Sequence, residues 1–134
     1  MIEGKRIIIT YGSFDLIHQG HINLLKKAKK LGDYLIVGVS SDYMHEQKGK
    51  KCVQPFETRK LIIESLKFVD EVIEEEGWRQ KEDDINNNSV DILVMGSDWI
   101  NNFEDLPCSV VFLNRTPGIS TTMLKEKMKN EKED

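Results

Sequence analysis

Cysteine is scarce in this chain: Cys52 and Cys108 are the only two among 134 residues. No Cys-x-x-Cys or Cys/His spacing surrounds either, which argues against a zinc site. Two isolated thiols suit a reducing cytoplasm. Long apolar runs are also missing. Stretches such as Ile7-Ile8-Ile9 and Leu35-Ile36-Val37 fall far short of the roughly 18–20 residues that cross a bilayer, so no membrane span is expected. Residues 1–11 carry Lys5 and Arg6 before a short apolar run, with no small-residue cleavage site, and do not read as a secretory leader. There is no cationic excess: 19 Lys+Arg stand against 23 Asp+Glu, a formal net charge of -4. That balance disfavours gripping a nucleic-acid backbone, yet permits a local basic pocket. No repeat, low-complexity linker or second domain interrupts the chain. Its length and 39% hydrophobic content describe one packed domain, here expected over 1–129, with 130–134 a charged, frayed tail.

What is present is an alternation. Residues 6–11 and 34–40 are β-branched, continuously apolar runs of the kind buried on both faces of a sheet. Residues 69–73, 91–95 and 109–113 are shorter runs of the same sort. Between them lie helical patterns over 20–31, 55–67 and 78–88, and a last one follows over 118–129. Ile22, Leu25 and Ala28 face inward from the first helix; Leu61, Ile62 and Leu66 do so from the second, which Pro55 opens. The lysine-rich stretch 41–54 reads as a loop. Strands alternating with helices imply a Rossmann-like, doubly wound α/β domain with a five-stranded parallel sheet. Ligands in such sheets bind beyond the carboxyl ends of the strands, so the residues after each strand carry the functional reading.

The first such loop, 12–21, is Gly-Ser-Phe-Asp-Leu-Ile-His-Gln-Gly-His. It is neither a P-loop nor a Gly-x-Gly-x-x-Gly loop. It does end at a helix start, where free N–H groups and a partial positive charge attract anions. Gly20 admits a ligand close to the backbone. His18 and His21 share one side of a helical first turn and could donate to phosphate oxygens. Two His are too few for a metal site; helix capping is the plainer alternative. The last loop, Arg115-Thr-Pro-Gly-Ile-Ser-Thr-Thr122, brings hydroxyls to a second helix start behind an arginine fork suited to phosphate. N-capping by one hydroxyl is its plain alternative. Lys48, Lys50 and Lys51 follow the second strand and read either as a solvated charge run or as a cover over polyphosphate. Arg59 and Lys67 read as surface charges or as an outer ring of positive charge.

Residues 12–21 and 115–122 together resemble the cytidylyltransferase family, most nearly its bacterial glycerol-3-phosphate branch. The stretches Leu31-Gly-Asp-Tyr-Leu, Glu57-Thr-Arg-Lys-Leu-Ile, Val69-Asp-Glu-Val-Ile and Val94-Met-Gly-Ser-Asp-Trp extend the likeness over most of the chain. The resemblance implies transfer of CMP from CTP to a small phosphomonoester, releasing pyrophosphate, with Mg2+ held through phosphates, in a homodimer used for cell-surface polymer synthesis. It further implies nucleotide contacts from Ser13, Phe14, His18, Gly20, His21, Lys50, Arg115, Thr116, Gly118, Ile119, Ser120, Thr121 and Thr122. Lys48, Lys81, Asp98 and Trp99 would meet the acceptor. His18, His21, Lys48 and Arg115 would carry catalysis, supported by Arg59 and Lys67. Two positions depart from the family pattern. Lys67 replaces an arginine and loses its bidentate fork, and Ser97 replaces the first Asp of Gly-Asp-Asp-Trp. Glycerol 3-phosphate is the expected acceptor; phosphoethanolamine, phosphocholine, another polyol phosphate, or a nucleotide-binding module without turnover are the alternatives.

Overall fold

The computed structural model describes residues 4–47, 49–77, 79–96 and 106–114. Five strands form one all-parallel sheet: β1 (Ile7–Gly12), β2 (Tyr34–Ser40), β3 (Glu71–Glu75), β4 (Ile92–Gly96) and β5 (Ser109–Leu113). Their order across the sheet is β3-β2-β1-β4-β5. The chain thus starts at the centre, winds outward to β3, and returns to the other side of β1. That reversal opens a crevice beyond the carboxyl ends of β1 and β4.

Helices cover both faces. On one face Ile8, Val37 and Val94 meet Leu25 and Ala28 of α1 (Gln19–Lys30) and Ile63 of α3 (Phe56–Glu64). On the other, Ile7, Ile9, Ile36 and Leu93 meet Ile85 of α4 (Gln80–Asn87). Burying each such aliphatic side chain contributes about 1.5–3 kcal/mol. The run Ile7-Ile8-Ile9 is fully used because alternate side chains serve opposite faces.

Three expectations need correction. The stretch 41–54 is not all loop: Asp42–Gln47 forms a short helix, α2. Ser41 Oγ accepts the Met44 N–H at 3.0 Å and so starts it, a local hydrogen bond that leaves no apolar period to read. Leu61 does not face inward but is 64% exposed. In a nine-residue helix one stripe is buried, and Arg59 and Ile63, four apart, occupy it. The third strand starts at Glu71 rather than 69, because the Val69 N–H closes a turn on Leu66 O at 3.1 Å. The helix expected over 118–129 and the tail 130–134 lie outside the described residues.

Candidate active site

The loop leaving β1 has an unusual backbone. Phe14 and Leu16 both adopt left-handed conformations, at φ 51° and 52°, which cost non-glycine residues about 1–3 kcal/mol each. Surrounding contacts hold them there. The Phe14 ring lies in the core, folded back over Gly12, where a Cβ would approach its Cε2 to 3.0 Å. Asp15, 1% exposed, accepts N–H bonds from Val53 at 2.8 Å and Gln54 at 3.0 Å. Gln54 Oε1 in turn accepts the Leu16 N–H at 3.1 Å. The loop after β1 is therefore clamped to the segment that follows Lys50.

That clamp delivers His18 to the N-cap of α1. His18 Nδ1 accepts the Gly20 N–H at 3.0 Å, and His21 Nδ1 accepts the His18 N–H at 3.1 Å. The result is a capping box made of two imidazoles. With both Nδ1 atoms accepting, each neutral ring carries its proton on Nε2. Burial, followed by the neighbouring His18, pushes His21 down to about 4, against a smaller upward pull from Asp15. Burial lowers His18 as well. At neutral pH the pair is uncharged and offers Nε2–H donors beside a helix N-terminus that has no acidic residue in its first turn. The plain reading of the histidines as caps is what the structure shows at Nδ1, and the same bonds define what Nε2 can do.

Arg59 is neither a surface charge nor part of an outer positive ring. It is 0% exposed and ties four segments together. Its Nε donates to Gln54 O at 3.0 Å, its Nη1 to Ser13 O at 2.9 Å and Ser40 O at 2.7 Å, and its Nη2 pairs with Asp42 Oδ1 at 2.7 Å. The Phe56 N–H, and after it Arg59, holds the Asp42 carboxyl below its ordinary value.

Beyond these loops lies a cavity of about 320 Å³, bounded by Ser13, Ser40, His45, Lys50, Glu75 and Lys81 among others. The His45 ring sits 2.8 Å from Ser40 Oγ, and the His45 carbonyl accepts the Lys50 N–H at 3.0 Å. Lys81 and Glu75 form a hydrogen-bonded ion pair with both side chains 4% exposed. Lys81 Nζ also lies 4.4 Å from the centre of the Tyr11 ring, a cation–π contact. Tyr11 is held at its far end by donating to Asp84 Oδ2 at 2.8 Å. Burial first, and Asp84 next, raise the Tyr11 pKa and keep its hydroxyl protonated. Gly38 makes room for that ring, since a Cβ there would come within 2.4 Å of Tyr11 Cδ1.

The structure thus brings Ser13, His18, Gly20, His21, Lys50 and Lys81 to the carboxyl edge of the sheet. It leaves Phe14 in the core, touching the His21 ring edge-on at 5.6 Å between centroids. Lys67 is not brought there. It lies in the turn before β3, whose next residues bond to Leu35 at the amino edge of β2. Lys48, Asp98, Trp99, Arg115, Thr116, Gly118, Ile119, Ser120, Thr121 and Thr122 lie outside the described residues. Glu75, Tyr11 and Asp84 were missed by sequence reasoning. The glycine inside β2 was the available signal, because an interior strand glycine marks a close approach.

Residues 9–127 match the cytidylyltransferase-like family. The chain belongs to that family. It is 53% identical over 123 residues to the glycerol-3-phosphate cytidylyltransferase of Bacillus subtilis, covering 90% of this chain and 95% of the relative. Against the enzyme of the same name from Staphylococcus aureus it is 50% identical over 123 residues, covering 90% and 93%. Among solved structures it resembles a lipopolysaccharide core biosynthesis protein from Thermoplasma volcanium, with a TM-score of 0.67, 29% identity, and coverage of 84% of this chain and 98% of that one.

Cytidylyltransferase-like membership implies a divalent metal alongside the nucleotide. Among the described residues no group of three or more His, Cys, Asp or Glu could hold such an ion. Carboxylates at this edge are already engaged, Asp15 with two backbone N–H groups, Asp42 with Arg59 and the Phe56 N–H, and Glu75 with Lys81. Asp15 and Glu75 are committed to those partners, and substrate phosphates ordinarily carry much of the coordination of a nucleotide-bound divalent ion.

Proposed function

We propose that this protein transfers CMP from CTP to glycerol 3-phosphate, giving CDP-glycerol and pyrophosphate. The observation that carries the reading is the two-imidazole capping box: neutral Nε2–H donors at a helix N-terminus, set beside a cavity edged by Lys50 and Lys81. Likeness to two glycerol-3-phosphate cytidylyltransferases along 90% of the chain supports it.

In the reaction an oxygen of the acceptor phosphate bonds to the α-phosphorus of CTP, and the bond from that phosphorus to the bridging β-oxygen breaks. A phosphomonoester is mostly dianionic at neutral pH, its second pKa being about 6, so no general base is required. The obstacle is repulsion between anions, met by positioning and charge stabilisation. His18 and His21 donate to the α-phosphoryl oxygens as charge builds on them. Lys48 and Lys81, with Asp98 and Trp99, hold the acceptor; Lys50 and Arg115 meet the outer phosphates. Ser13 and residues 115–122 line the nucleotide, while Phe14, Arg59 and Asp15 hold the loops in shape. Mg2+ bound to the phosphates would neutralise part of their charge.

The unit over 1–129 acts as a homodimer in the cytoplasm, a compartment that suits Cys52 and Cys108 outside any disulfide. No helix among the described residues is long and apolar enough to cross a membrane. The test is incubation with CTP, Mg2+ and glycerol 3-phosphate, scored by pyrophosphate release and product mass, with ATP and phosphoethanolamine in parallel. CDP-glycerol is the expected product; its absence overturns the reading.

A further inference from the structure

The cavity carries an acid and a base side by side. Glu75, at the carboxyl end of β3, and Lys81, in the first turns of α4, are each 3% exposed and both edge the same space. Their charges cancel, so the pair adds hydrogen-bonding groups there without adding net charge. A carboxylate only accepts and an ammonium only donates. A vicinal diol needs both partners at once, because each hydroxyl donates one bond and accepts others. At about 320 Å³ the cavity is at the small end of ligand pockets, which run to roughly 300–1,000 Å³.

We propose that Glu75 and Lys81 read the hydroxyls of the acceptor, Glu75 accepting a bond from one and Lys81 donating to its neighbour, so that the cavity selects phosphomonoesters with an uncharged polyol tail. The inference rests on the transfer reaction above and deepens it, assigning acceptor selection to a pair of which Glu75 had no role. An ammonium tail would face the Lys81 charge. A quaternary ammonium would find the face of Tyr11 already covered by Lys81 Nζ, 4.4 Å from the ring centre. A carboxylated tail would face Glu75. Tyr11, pinned by Asp84, and Gly38 behind it hold the pair in place.

The experiment compares glycerol 3-phosphate with propyl phosphate, which keeps the phosphate and the three carbons and lacks both hydroxyls. Wild-type kcat/KM should favour glycerol 3-phosphate by about a hundredfold or more, as in sites built to bond a substrate hydroxyl. In Glu75→Gln the preference should shrink to about a tenth or less of its wild-type value, with the KM for CTP held within about twofold. A purely structural role for Glu75 would slow both acceptors alike and leave their ratio unchanged, which overturns the proposal. The wild-type series needs no variant to fold: propyl phosphate used within about threefold of glycerol 3-phosphate also overturns it. No pyrophosphate from CTP and glycerol 3-phosphate would instead sink the transfer reaction itself, so the two failures are distinguishable.

Discussion

His18 and His21 cap one helix turn jointly, their ring centroids 3.9 Å apart and each Nδ1 accepting a backbone N–H. The bonds that order the rings also set their tautomers. His21→Asn keeps an oxygen near the Nδ1 position and removes the Nε2 donor. Turnover should fall by about 10²–10³, the usual loss for one transition-state donor, while stability stays within about 1 kcal/mol. Pyrophosphate release and a thermal melt check both. A folded variant with wild-type turnover would remove His21 from the chemistry.

The same ring makes stability depend on pH. An unfolded imidazole takes a proton near its model value of 6.5, the folded His21 only near 4. Between those values the unfolded chain binds more protons, so stability is complete above about 6.5 and falls as pH drops toward 4. The slope from this group is at most about 1.4 kcal/mol per pH unit. Urea midpoints from pH 7.5 to 4.5 should show the loss in wild type and a shallower one in His21→Asn.

Arg59→Met should be destabilising by about 2–4 kcal/mol, because three carbonyls lose the one guanidinium that served them all, while the half-exposed Asp42 keeps its Phe56 N–H bond and water. Arg59→Lys should recover little of this, since one ammonium cannot reproduce the planar fork. Chemical denaturation measures both, and a stable Arg59→Lys would show that charge alone suffices.

Gly38→Ala drives a methyl group into the Tyr11 ring, whose hydroxyl is fixed on Asp84. The expected cost is about 1–3 kcal/mol from overpacking, with a raised KM for the acceptor and an unchanged KM for CTP. Equal effects on both substrates would mean that Tyr11 and Lys81 do not serve the acceptor side.

The sheet was legible because its strands are dense apolar runs. The expected 34–40 and 109–113 match β2 and β5 in full, and the expected first and fourth strands each lie one residue toward the amino terminus of the observed ones. Parallel topology then pointed to the edge where ligands of such sheets bind. What stayed hidden depends on contacts distant in sequence. Leu61, Ile62 and Ile63 are three apolar neighbours in one short helix, and their order alone does not tell which points inward. Only Arg59, drawn in by carbonyls of Ser13 and Ser40, decides it. Glu75 reads as one more acid in an acidic stretch until α4 sets Lys81 against it. The spacing of the two histidines at a helix start was readable in the sequence, whereas their neutrality follows from burial that no spacing reveals.

The left-handed residues Phe14 and Leu16 flank a carboxylate whose partners lie 38 and 39 positions downstream. On a growing nascent chain the first loop therefore has no latch until Val53 and Gln54 have left the ribosome. The motif that comes earliest in the sequence thus waits for its shape on residues 38 and 39 positions later, and a truncated translation product ending near residue 50 would carry both histidines without the framework that aims them.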